Sequence, residues 1–528
     1  MSCLLNALQK EASRKLWFRG ALWLAVLGPF FFLSYNFAGS LAEVRQIRAS
    51  LVFGWERWIP FRPWTILAYW SLILACIASF FSAWGIFSPD ARPGRGDPDR
   101  ERQRLDRHGE RLLLCQLLTV ACFLLMPLRF SYTPPRVEGF LGGFFAMLYA
   151  FDQPYNQIPS LHVALLTLIA ARCSLGGVWR GAFNSWVFLV GISVLTTWQQ
   201  HFIGALAGLL LGGLVLWAVP DDGPTLRTLW REGRSARDDP DRRVLARIYA
   251  AASFACLAWC VFGWACWGSG AAAIWLFLAW SGLALGLTAL VYARLGPAAL
   301  RKRQGGLPPA SLWLFWPYLA GAWLNSRWWT RGRPAPDHVA DRIWIGRMPG
   351  RRELERLAAS EHGFDALLDL AAELPAPASF AGGEDFVYAA VPLLEGAIPD
   401  PEDVGRAVLR LDRLHRAGRT TLVCCALGEV RSALVVAVWL SFRSGAPLAD
   451  AVAGVARRRR GVALDEARIQ AGQAALRLLL ARKRAGDLAE RLSRWRAGQR
   501  EAIKKSFHNS HEMASNAGRE SGAARKAP

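Results

Sequence analysis

Only 8 histidines and 10 cysteines occur among the 528 residues. Metal centres need several His, Cys, Asp or Glu ligands at close, regular spacings, and the sequence shows no such spacing. The cysteines also form no disulfide framework of the kind that stabilises small secreted domains. We therefore expect no metal and no cofactor. Many of the cysteines instead lie inside long apolar runs, at Cys76, Cys115, Cys122, Cys173, Cys256 and Cys260.

Acidic residues are also scarce. Asp and Glu number 41 against 63 Lys and Arg, which gives a formal net charge of +22. A basic protein can bind nucleic acid, but much of this excess flanks apolar runs or lies near the C-terminus. Basic residues in those places are typical of contact with anionic lipid headgroups. We expect membrane lipids as partners and no nucleic acid.

Hydrophobic residues make up 53% of the chain, too many for an ordinary soluble protein. Most of the long apolar runs reach the roughly 20 residues that cross a bilayer, and we count eight spans. The runs lie at about 17–37, 65–87, 111–128, 161–176, 182–198, 203–219, 248–267 and 271–293. The stretch 310–326 is short for a span and contains Pro317, so we expect a helix at the membrane interface.

A C-x5-R pattern lies between two apolar stretches, in the run Cys424-Cys425-Ala426-Leu427-Gly428-Glu429-Val430-Arg431-Ser432. The stretch before it is typical of a strand and the stretch after it of a helix. A tight loop at a helix N-terminus gathers backbone N–H groups that bind phosphate. The same field favours a thiolate at Cys425, and Arg431 can hold two phosphate oxygens. The pattern predicts phosphate-ester hydrolysis through a cysteinyl-phosphate.

This run resembles the signature of the dual-specificity branch of the protein tyrosine phosphatases, His-Cys-x-x-Gly-x-x-Arg-Ser/Thr. The resemblance covers roughly 337–482, with Arg342 to Arg347 similar to the opening strand of that family. It implies that Cys425 is the nucleophile, that Arg431 binds phosphate and that Ser432 stabilises the departing thiolate. The loop amides that would bind phosphate belong to Ala426, Leu427, Gly428, Glu429 and Val430.

The chain departs from that signature in two respects. Cys424 stands where the family has a histidine that activates the nucleophile, so we expect some loss of activity. The family also protonates the leaving oxygen with an aspartate upstream of the loop, where this chain offers Glu395, with Asp400 as its competitor. Glu429, inside the loop, would repel additional phosphates and favours a substrate with one phosphate.

A second candidate phosphate site lies in the apolar part of the chain. Two motifs, Pro159-Ser160-Leu161-His162 and Thr197-Trp198-Gln199-Gln200-His201, stand at the same mouth of predicted spans, after Arg129 and Arg136. The region 110–219 resembles the type 2 phosphatidic acid phosphatase (PAP2) superfamily. The resemblance implies His162 as general acid and His201 as attacking nucleophile, with Arg129, Arg136 and Ser160 binding phosphate.

The last motif of that resemblance is incomplete, because the family has an aspartate four residues after its second histidine. If Gln200 occupies the nucleophile position, Gly204 stands where the aspartate belongs. If His201 is the nucleophile, the corresponding residue is Ala205. Two interpretations stay open: a weakly active site that uses His201, and a domain that binds lipid phosphate or only anchors the chain.

The expected fold class is multidomain. An all-α polytopic membrane domain, with a PAP2-like six-helix unit plus additional helices, precedes a small α/β phosphatase domain of dual-specificity type. The boundaries are 1–219 for the PAP2-like domain, 220–336 for a loop, two more spans and the interfacial segment, 337–482 for the phosphatase-like domain and 483–528 for a basic, disordered tail. Strands are predicted at Arg342–Ile345, Ala366–Leu370, Phe386–Val391 and Thr420–Cys424, and helices at Glu402–His415, Ser432–Phe442 and Ala467–Leu480.

The two resemblances together imply an integral protein of the bacterial inner membrane. Arginine-rich loops around 88–110 and 220–247 place the phosphatase domain in the cytoplasm under the positive-inside rule. The expected function is a membrane-tethered, cysteine-dependent phosphomonoesterase that acts preferentially on a phospholipid headgroup. The alternatives are a phosphoprotein phosphatase, and a lipid phosphatase or phosphotransferase that uses the PAP2-like site.

Overall fold

A computed structural model describes residues 2–81, 98–151, 154–173, 177–233, 239–377 and 386–485. The chain divides into two compact units on either side of the Asn325–Ser326 bond. The first unit is helical, and the second combines a sheet with helices. From position 486 onward, the predicted disordered tail lies outside the described residues.

The helices of the first unit are rich in apolar residues. In the described part of the chain, five segments are long and apolar enough to cross a membrane: Lys15–Val44, Asp99–Leu125, Gly177–Thr196, Pro240–Trp267 and Ala273–Leu295. The helices are Ser2–Val44 (α1), Ile66–Ala78 (α2), Pro98–Leu125 (α3), Gly139–Phe151 (α4), Leu161–Arg172 (α5), Gly177–Thr196 (α6), Phe202–Ala218 (α7), Leu226–Glu232 (α8), Pro240–Trp267 (α9) and Ala272–Leu290 (α10). A further helix, Pro309–Trp329 (α11), runs through Pro317 and covers the stretch expected at the membrane interface.

The eight apolar runs all carry helices, but three of these are shorter than a span. Pro63–Ala78, Leu161–Arg172 and Phe202–Ala218 are apolar helices of 10–17 residues. The apolar helix α4 was not predicted; it lies in the stretch expected to be a loop between the third and fourth spans. Gly139, Gly142 and Gly143 lower the intrinsic helix propensity there, and packing overrides it.

Helices α5 and α7 lie close together because glycines on α7 face α5. A Cβ atom at Gly208 would lie 2.4 Å from the carbonyl oxygen of Ser160, and one at Gly212 would lie 2.6 Å from the Cβ of Thr167. The Ser160 N–H donates to the Gly204 carbonyl at 2.8 Å. This packing places the Pro-Ser-Leu-His motif beside the first turn of α7.

The second unit is built on a five-stranded sheet in the order β1-β2-β5-β3-β4. Strands β1 and β2 are antiparallel and the other pairs are parallel. The strands are Asp337–Ala340 (β1), Ile343–Arg347 (β2), Ala366–Ala371 (β3), Val387–Leu393 (β4) and Thr421–Cys425 (β5). Because β2, β3 and β5 run in the same direction, the loops after them meet at one edge of the sheet.

In the described part of the second unit, five helices accompany the sheet. They are Arg351–Ala358 (α12), Pro401–Arg416 (α13), Arg431–Ser444 (α14), Leu448–Arg458 (α15) and a last helix over 466–485 (α16). The run Ala433 to Trp439 on α14 is buried throughout and packs against Val423 and Leu368 in the core. This helix is apolar on all sides because it lies in the core of the unit.

The four predicted strands correspond to β2 to β5, and the three predicted helices to α13, α14 and α16. Sequence analysis missed β1, α12 and α15. Strand β1 buries only Val339, so it has no alternating pattern to detect. Helix α12 is mostly arginine and glutamate and buries only Leu354, so its apolar stripe is a single residue wide.

Candidate phosphatase site

The C-x5-R run forms a loop between the central strand and the most deeply buried helix of the second unit. Cys425 is the last residue of β5, and Arg431 is the first residue of α14. The thiol is 2% exposed, and the Gly428 N–H donates to its Sγ at 3.2 Å. The Met348 N–H donates to the carbonyl of Cys425 at 2.7 Å, which fixes the end of the strand. The sulfur therefore lies at the start of a helix with a backbone N–H directed at it.

Gly428 is required by the conformation of this loop. Its φ of +74° lies in the left-handed region, where a side chain is strained. A Cβ atom here would lie only 2.3 Å from the carbonyl carbon of Gly346, which follows Ile345 on the neighbouring strand β2. The loop can therefore turn back toward Cys425 only with glycine at this position.

The guanidinium of Arg431 is held by a carboxylate that sequence analysis missed. Nη1 donates to Glu373 Oε2 at 3.0 Å and Nη2 donates to Glu373 Oε1 at 2.7 Å, while Nη1 also donates to the Leu393 carbonyl at 2.6 Å. Arg431 is 2% exposed. Burial alone would lower the pKa of Arg431, but the charges of Glu373 and Glu395 raise it well above its ordinary value. The arginine is thus fully charged and fixed in direction.

Among the residues that the structure describes, the buried Nε of Arg431 has no hydrogen-bond partner. Glu373 occupies the two terminal nitrogens, so Nε and the second hydrogen on Nη2 form the edge that can receive two oxygens of a phosphate. The position of Glu373 had one signal in the sequence. It comes two residues after the end of the apolar strand β3, at the edge of the sheet where the loop after β5 also lies.

Glu395, the expected proton donor, lies against this arginine. Its Oε2 accepts a hydrogen bond from Nη2 of Arg431, and its side chain is 35% exposed. Burial raises the pKa of Glu395 above its ordinary value; Arg431 opposes this rise and Glu373 adds to it. Asp400 instead caps helix α13, where its Oδ1 accepts the Glu402 N–H at 3.0 Å. Of the two candidates, Glu395 is the one that contacts Arg431.

The two side chains that flank the signature are both buried. The hydroxyl oxygen of Ser432 has no hydrogen-bond partner within the described part of the chain. Cys424 lies on the opposite face of β5, where its Sγ is 3.9 Å from Sδ of Met348. Since successive side chains of a strand point to opposite faces, Cys424 and Cys425 do not share one pocket.

Charged side chains outside the loop also contact it. Arg333 Nη2 lies 3.1 Å from Glu429 Oε1, so the negative charge of Glu429 is compensated and its expected repulsion of phosphate is reduced. Arg459 is fully buried and donates to the Leu427 carbonyl at 3.1 Å and to Asp337 at 2.9 Å. Neither arginine is identified from the sequence, because each contact joins segments that are far apart along the chain.

His201 in the first unit is tied to another missed carboxylate. Its Nδ1 lies 2.9 Å from Oε2 of Glu56, and both residues are buried. The Ser131 N–H donates to Nε2 of His201 at 3.1 Å. A backbone N–H can only donate, so Nε2 is the acceptor and Nδ1 carries the proton that Glu56 accepts. Both ring nitrogens of His201 are therefore engaged.

The other members of the membrane motif do not gather around this histidine. His162 stacks on Tyr69 with ring centroids 4.0 Å apart, and Ser160 caps α5 by accepting the Val163 N–H. Arg129 and Arg136 are exposed, and within the described ranges no hydrogen bond or ion pair joins either arginine to a histidine. These arginines and histidines are thus not assembled into one site.

In the PAP2 resemblance, Gln200 and Gly204 are one alternative for the positions of the nucleophile and the aspartate, and neither provides such a group. The side-chain amide of Gln200 donates to the Asn156 carbonyl at 3.1 Å. A Cβ atom at Gly204 would lie 2.4 Å from the Gln157 carbonyl oxygen, so no carboxylate fits there. In the described residues, no group of three or more His, Cys, Asp or Glu side chains could hold a metal ion.

Comparison with known proteins gives matches among solved structures only. No family model matches the chain, and no curated protein does. The active form of Tk-PTP is 24% identical, covering 28% of this chain and 97% of its own, with a TM-score of 0.23. Human DUSP28 is 21% identical, covering 28% and 96%, with a TM-score of 0.24. PTPMT1 in complex with PI(5)P is 16% identical, covering 28% and 98%, with a TM-score of 0.26.

These similarities are to phosphatase-like domains that cover about 28% of the chain. The TM-scores are below 0.5 and the identities below 25%, so the chemistry of this chain rests on the loop geometry alone. The PAP2-like unit and the bacterial origin stay predictions from the sequence.

Proposed function

We propose that the second unit hydrolyses phosphate monoesters with Cys425 as nucleophile. The observation that supports this most directly is the Gly428 N–H on the sulfur of Cys425, at the start of a helix whose first residue is a carboxylate-held arginine. A phosphate in the loop would accept hydrogen bonds from the other loop amides. It would also accept hydrogen bonds from Nε and Nη2 of Arg431. Preorganised donors of this kind stabilise the charge that develops on the equatorial oxygens.

In the first step the Cys425 thiolate attacks phosphorus, an S–P bond forms and the bond from phosphorus to the ester oxygen breaks. Glu395 gives its proton to the departing oxygen, and its raised pKa suits it to this role. To do so, it exchanges its contact with Arg431 for one with the leaving group, while the phosphate takes its place on Nη2. Glu373 keeps the arginine in position during this exchange.

In the second step water attacks the cysteinyl-phosphate and the S–P bond breaks. The Glu395 carboxylate now takes the proton from water, which returns it to the acid form. Inorganic phosphate leaves, and the buried hydroxyl of Ser432 donates a hydrogen bond to the thiolate that is restored. Water supplies the oxygen and no other reactant is consumed.

The substrate class that fits best is a phospholipid headgroup with one phosphate. Between Cys425 and Arg431 the loop offers only Ala, Leu, Gly, Glu and Val side chains, so it has no additional cation for a second phosphate. Among the described residues, five helices are long and apolar enough to cross a bilayer, which would keep the catalytic unit near headgroups. Tethering of this kind raises the effective substrate concentration.

A phosphoprotein is the alternative substrate. The test compares phosphate release by the full chain in vesicles that contain phosphatidic acid with release from a phosphotyrosine peptide in solution. Faster turnover of the lipid, per site and at matched concentration, supports the headgroup assignment. Turnover of the peptide alone contradicts it and leaves the cysteine chemistry intact.

For the first unit, membrane anchoring is the role that the contacts support. Nucleophilic attack would need a free lone pair on Nε2 of His201, which accepts the Ser131 N–H. The unit therefore acts as an anchor that holds the phosphatase unit at the bilayer, in the inner membrane of a bacterium with the second unit in the cytoplasm. A lipid phosphotransferase run by this unit would keep its activity in Cys425→Ser and lose it in His162→Ala.

The decisive experiment is vanadate-sensitive hydrolysis of an aryl phosphate by the full chain in detergent. Cys425→Ser removes the nucleophile and should lower kcat by about a thousandfold or more. Cys424→Ser is the matched control, since that sulfur lies on the other face of β5, and it should retain most of the rate. Equal activity of wild type and Cys425→Ser would contradict the proposed function.

A further inference from the structure

The first residues of the second unit contact the phosphatase loop directly. We name the segment 326–333, the last turn of α11 and the turn after it, the loop brace. The hydroxyl of Ser326, which is 1% exposed, donates to the carbonyl of Ala426 at 2.5 Å. At the other end of the brace Arg333 pairs with Glu429. The brace thus touches the loop one residue after Cys425 and two residues before Arg431.

The brace is itself fixed to the sheet. The hydroxyl of Thr330 donates to the Ser326 carbonyl at 2.6 Å and accepts from Nη1 of Arg347 at 2.8 Å. Arg347 is the last residue of β2, and it is the direct neighbour of Cys425 in the register between β2 and β5. Ser326 is therefore held in place relative to the strand that carries the nucleophile.

The direction of a loop amide follows from what holds the carbonyl before it. In a trans peptide the C=O and the following N–H point in opposite directions. Arg459 holds the Leu427 carbonyl from outside the loop, and the next N–H, that of Gly428, points inward to the sulfur of Cys425. Ser326 holds the Ala426 carbonyl in the same way, so the N–H of Leu427 is directed away from Ser326.

We propose that Ser326 is a positioning residue of the phosphatase site, which aims the Leu427 N–H at the bound phosphate by holding the Ala426 carbonyl. The inference rests on the proposed function, since an aimed amide matters only if the loop binds phosphate. It assigns a catalytic contribution to a residue outside the predicted phosphatase domain 337–482. A fragment that begins at 337 lacks this contact.

The test uses the full chain in detergent, with three measurements on each variant: kcat/KM for an aryl phosphate, affinity for orthovanadate and the thermal midpoint. Ser326→Ala should lower kcat/KM and vanadate affinity in parallel, by about fivefold to tenfold, the loss expected for one hydrogen bond. Ser326→Thr keeps the hydroxyl and should restore both. Ser360→Ala is the control, because its hydroxyl also donates to a backbone carbonyl, that of Leu357, but outside the loop.

If Ser326 only stabilises the fold, Ser326→Ala should lower the thermal midpoint and leave kcat/KM and vanadate affinity unchanged. If Ser326→Ala matches Ser360→Ala in kcat/KM and vanadate affinity, the inference is wrong. Should the alanine variant fail to fold, Ser326→Cys replaces it, because cysteine has a similar volume and its thiol is a weaker donor than the hydroxyl. A kcat/KM equal to that of the wild type in Ser326→Cys would also contradict the inference. Cys425→Ser separates the two proposals: if it is inactive while Ser326→Ala is unaffected, only the role of Ser326 fails.

Discussion

Both oxygens of Glu373 hold the guanidinium of Arg431, at 2.7 and 3.0 Å, with both side chains almost completely buried. The pair orients the arginine before any phosphate arrives. At the remaining edge of the arginine, Nε has no partner among the described residues, and the contact of Nη2 with Glu395 is the one that substrate can replace. This arrangement separates a permanent partner of the arginine from an exchangeable one.

Glu373→Gln should impair both catalysis and stability. Removing one charge from a buried ion pair costs about 3–5 kcal/mol because the partner stays buried without compensation. We expect a lower thermal midpoint and a fall in kcat/KM of about a hundredfold as the guanidinium loses its fixed direction. Glu355→Gln, which removes an exposed partner of Arg351, is the control and should change neither quantity. Wild-type kinetics in Glu373→Gln would show that Arg431 needs no such support.

Glu395 predicts a specific pH dependence. The acid form is required for the first step, so kcat falls as pH rises through the pKa of Glu395. Because burial raises this pKa, the decline should begin at higher pH than for an ordinary glutamate. Glu395→Gln should remove this alkaline limb and slow alkyl phosphates much more than aryl phosphates, whose leaving groups need less protonation. Asp400→Asn should retain the profile; if it alone loses the limb, Asp400 is the acid.

Gly428→Ala and Gly445→Ala form a matched pair of substitutions. Both glycines have φ of +74°, but only Gly428 has backbone within 3 Å of a new Cβ, and Gly445 faces open space. Gly445→Ala should therefore lower the free energy of unfolding by about 1–2 kcal/mol, the cost of a left-handed backbone conformation at a residue with a side chain. Its kcat should be unchanged. Gly428→Ala should abolish phosphate hydrolysis because the loop must move away from Gly346. Comparable kcat values for the two variants would mean that the loop is not held against β2.

The Glu56–His201 contact predicts a stability effect without a catalytic one. Glu56→Gln should lower the free energy of unfolding of the first unit by about 1.5–3 kcal/mol, the contribution of a hydrogen bond to a charged group. A lower denaturation midpoint would report this loss. Hydrolysis of a soluble aryl phosphate should be unchanged, since Cys425 lies in the other unit. Glu43→Gln, at an exposed position on α1, is the control. Loss of lipid dephosphorylation in Glu56→Gln and His201→Ala, with Cys425→Ser still active, would instead favour a working membrane site.

Local pattern was enough to predict the strand, loop and helix around Cys425. The apolar runs on either side of the loop are buried in the structure, and Glu395, which was expected upstream of the loop, contacts Arg431. Local structure that depends on one short segment can be predicted from the sequence because that segment alone determines its own backbone geometry. The tight loop that contains Gly428 is another example.

Partners from distant segments could not be predicted in this way. Glu373 meets Arg431 across 58 positions, and Glu56 meets His201 across 145. Nothing in their immediate sequence distinguishes these glutamates from solvated ones, since the parallel strand order and the helix packing bring them to their partners. The carboxylate that the motif around His201 lacks locally is supplied by such a contact.

The contact between Arg459 and the Leu427 carbonyl has a consequence for biosynthesis. The amide that faces the sulfur is directed by a side chain that the ribosome adds 32 residues after that carbonyl. Until Arg459 has emerged and docked, the Leu427 carbonyl lacks this contact, and the Gly428 N–H lacks the support that directs it at the sulfur of Cys425. Alignment of the loop around Cys425 therefore accompanies the closing stage of folding of this unit.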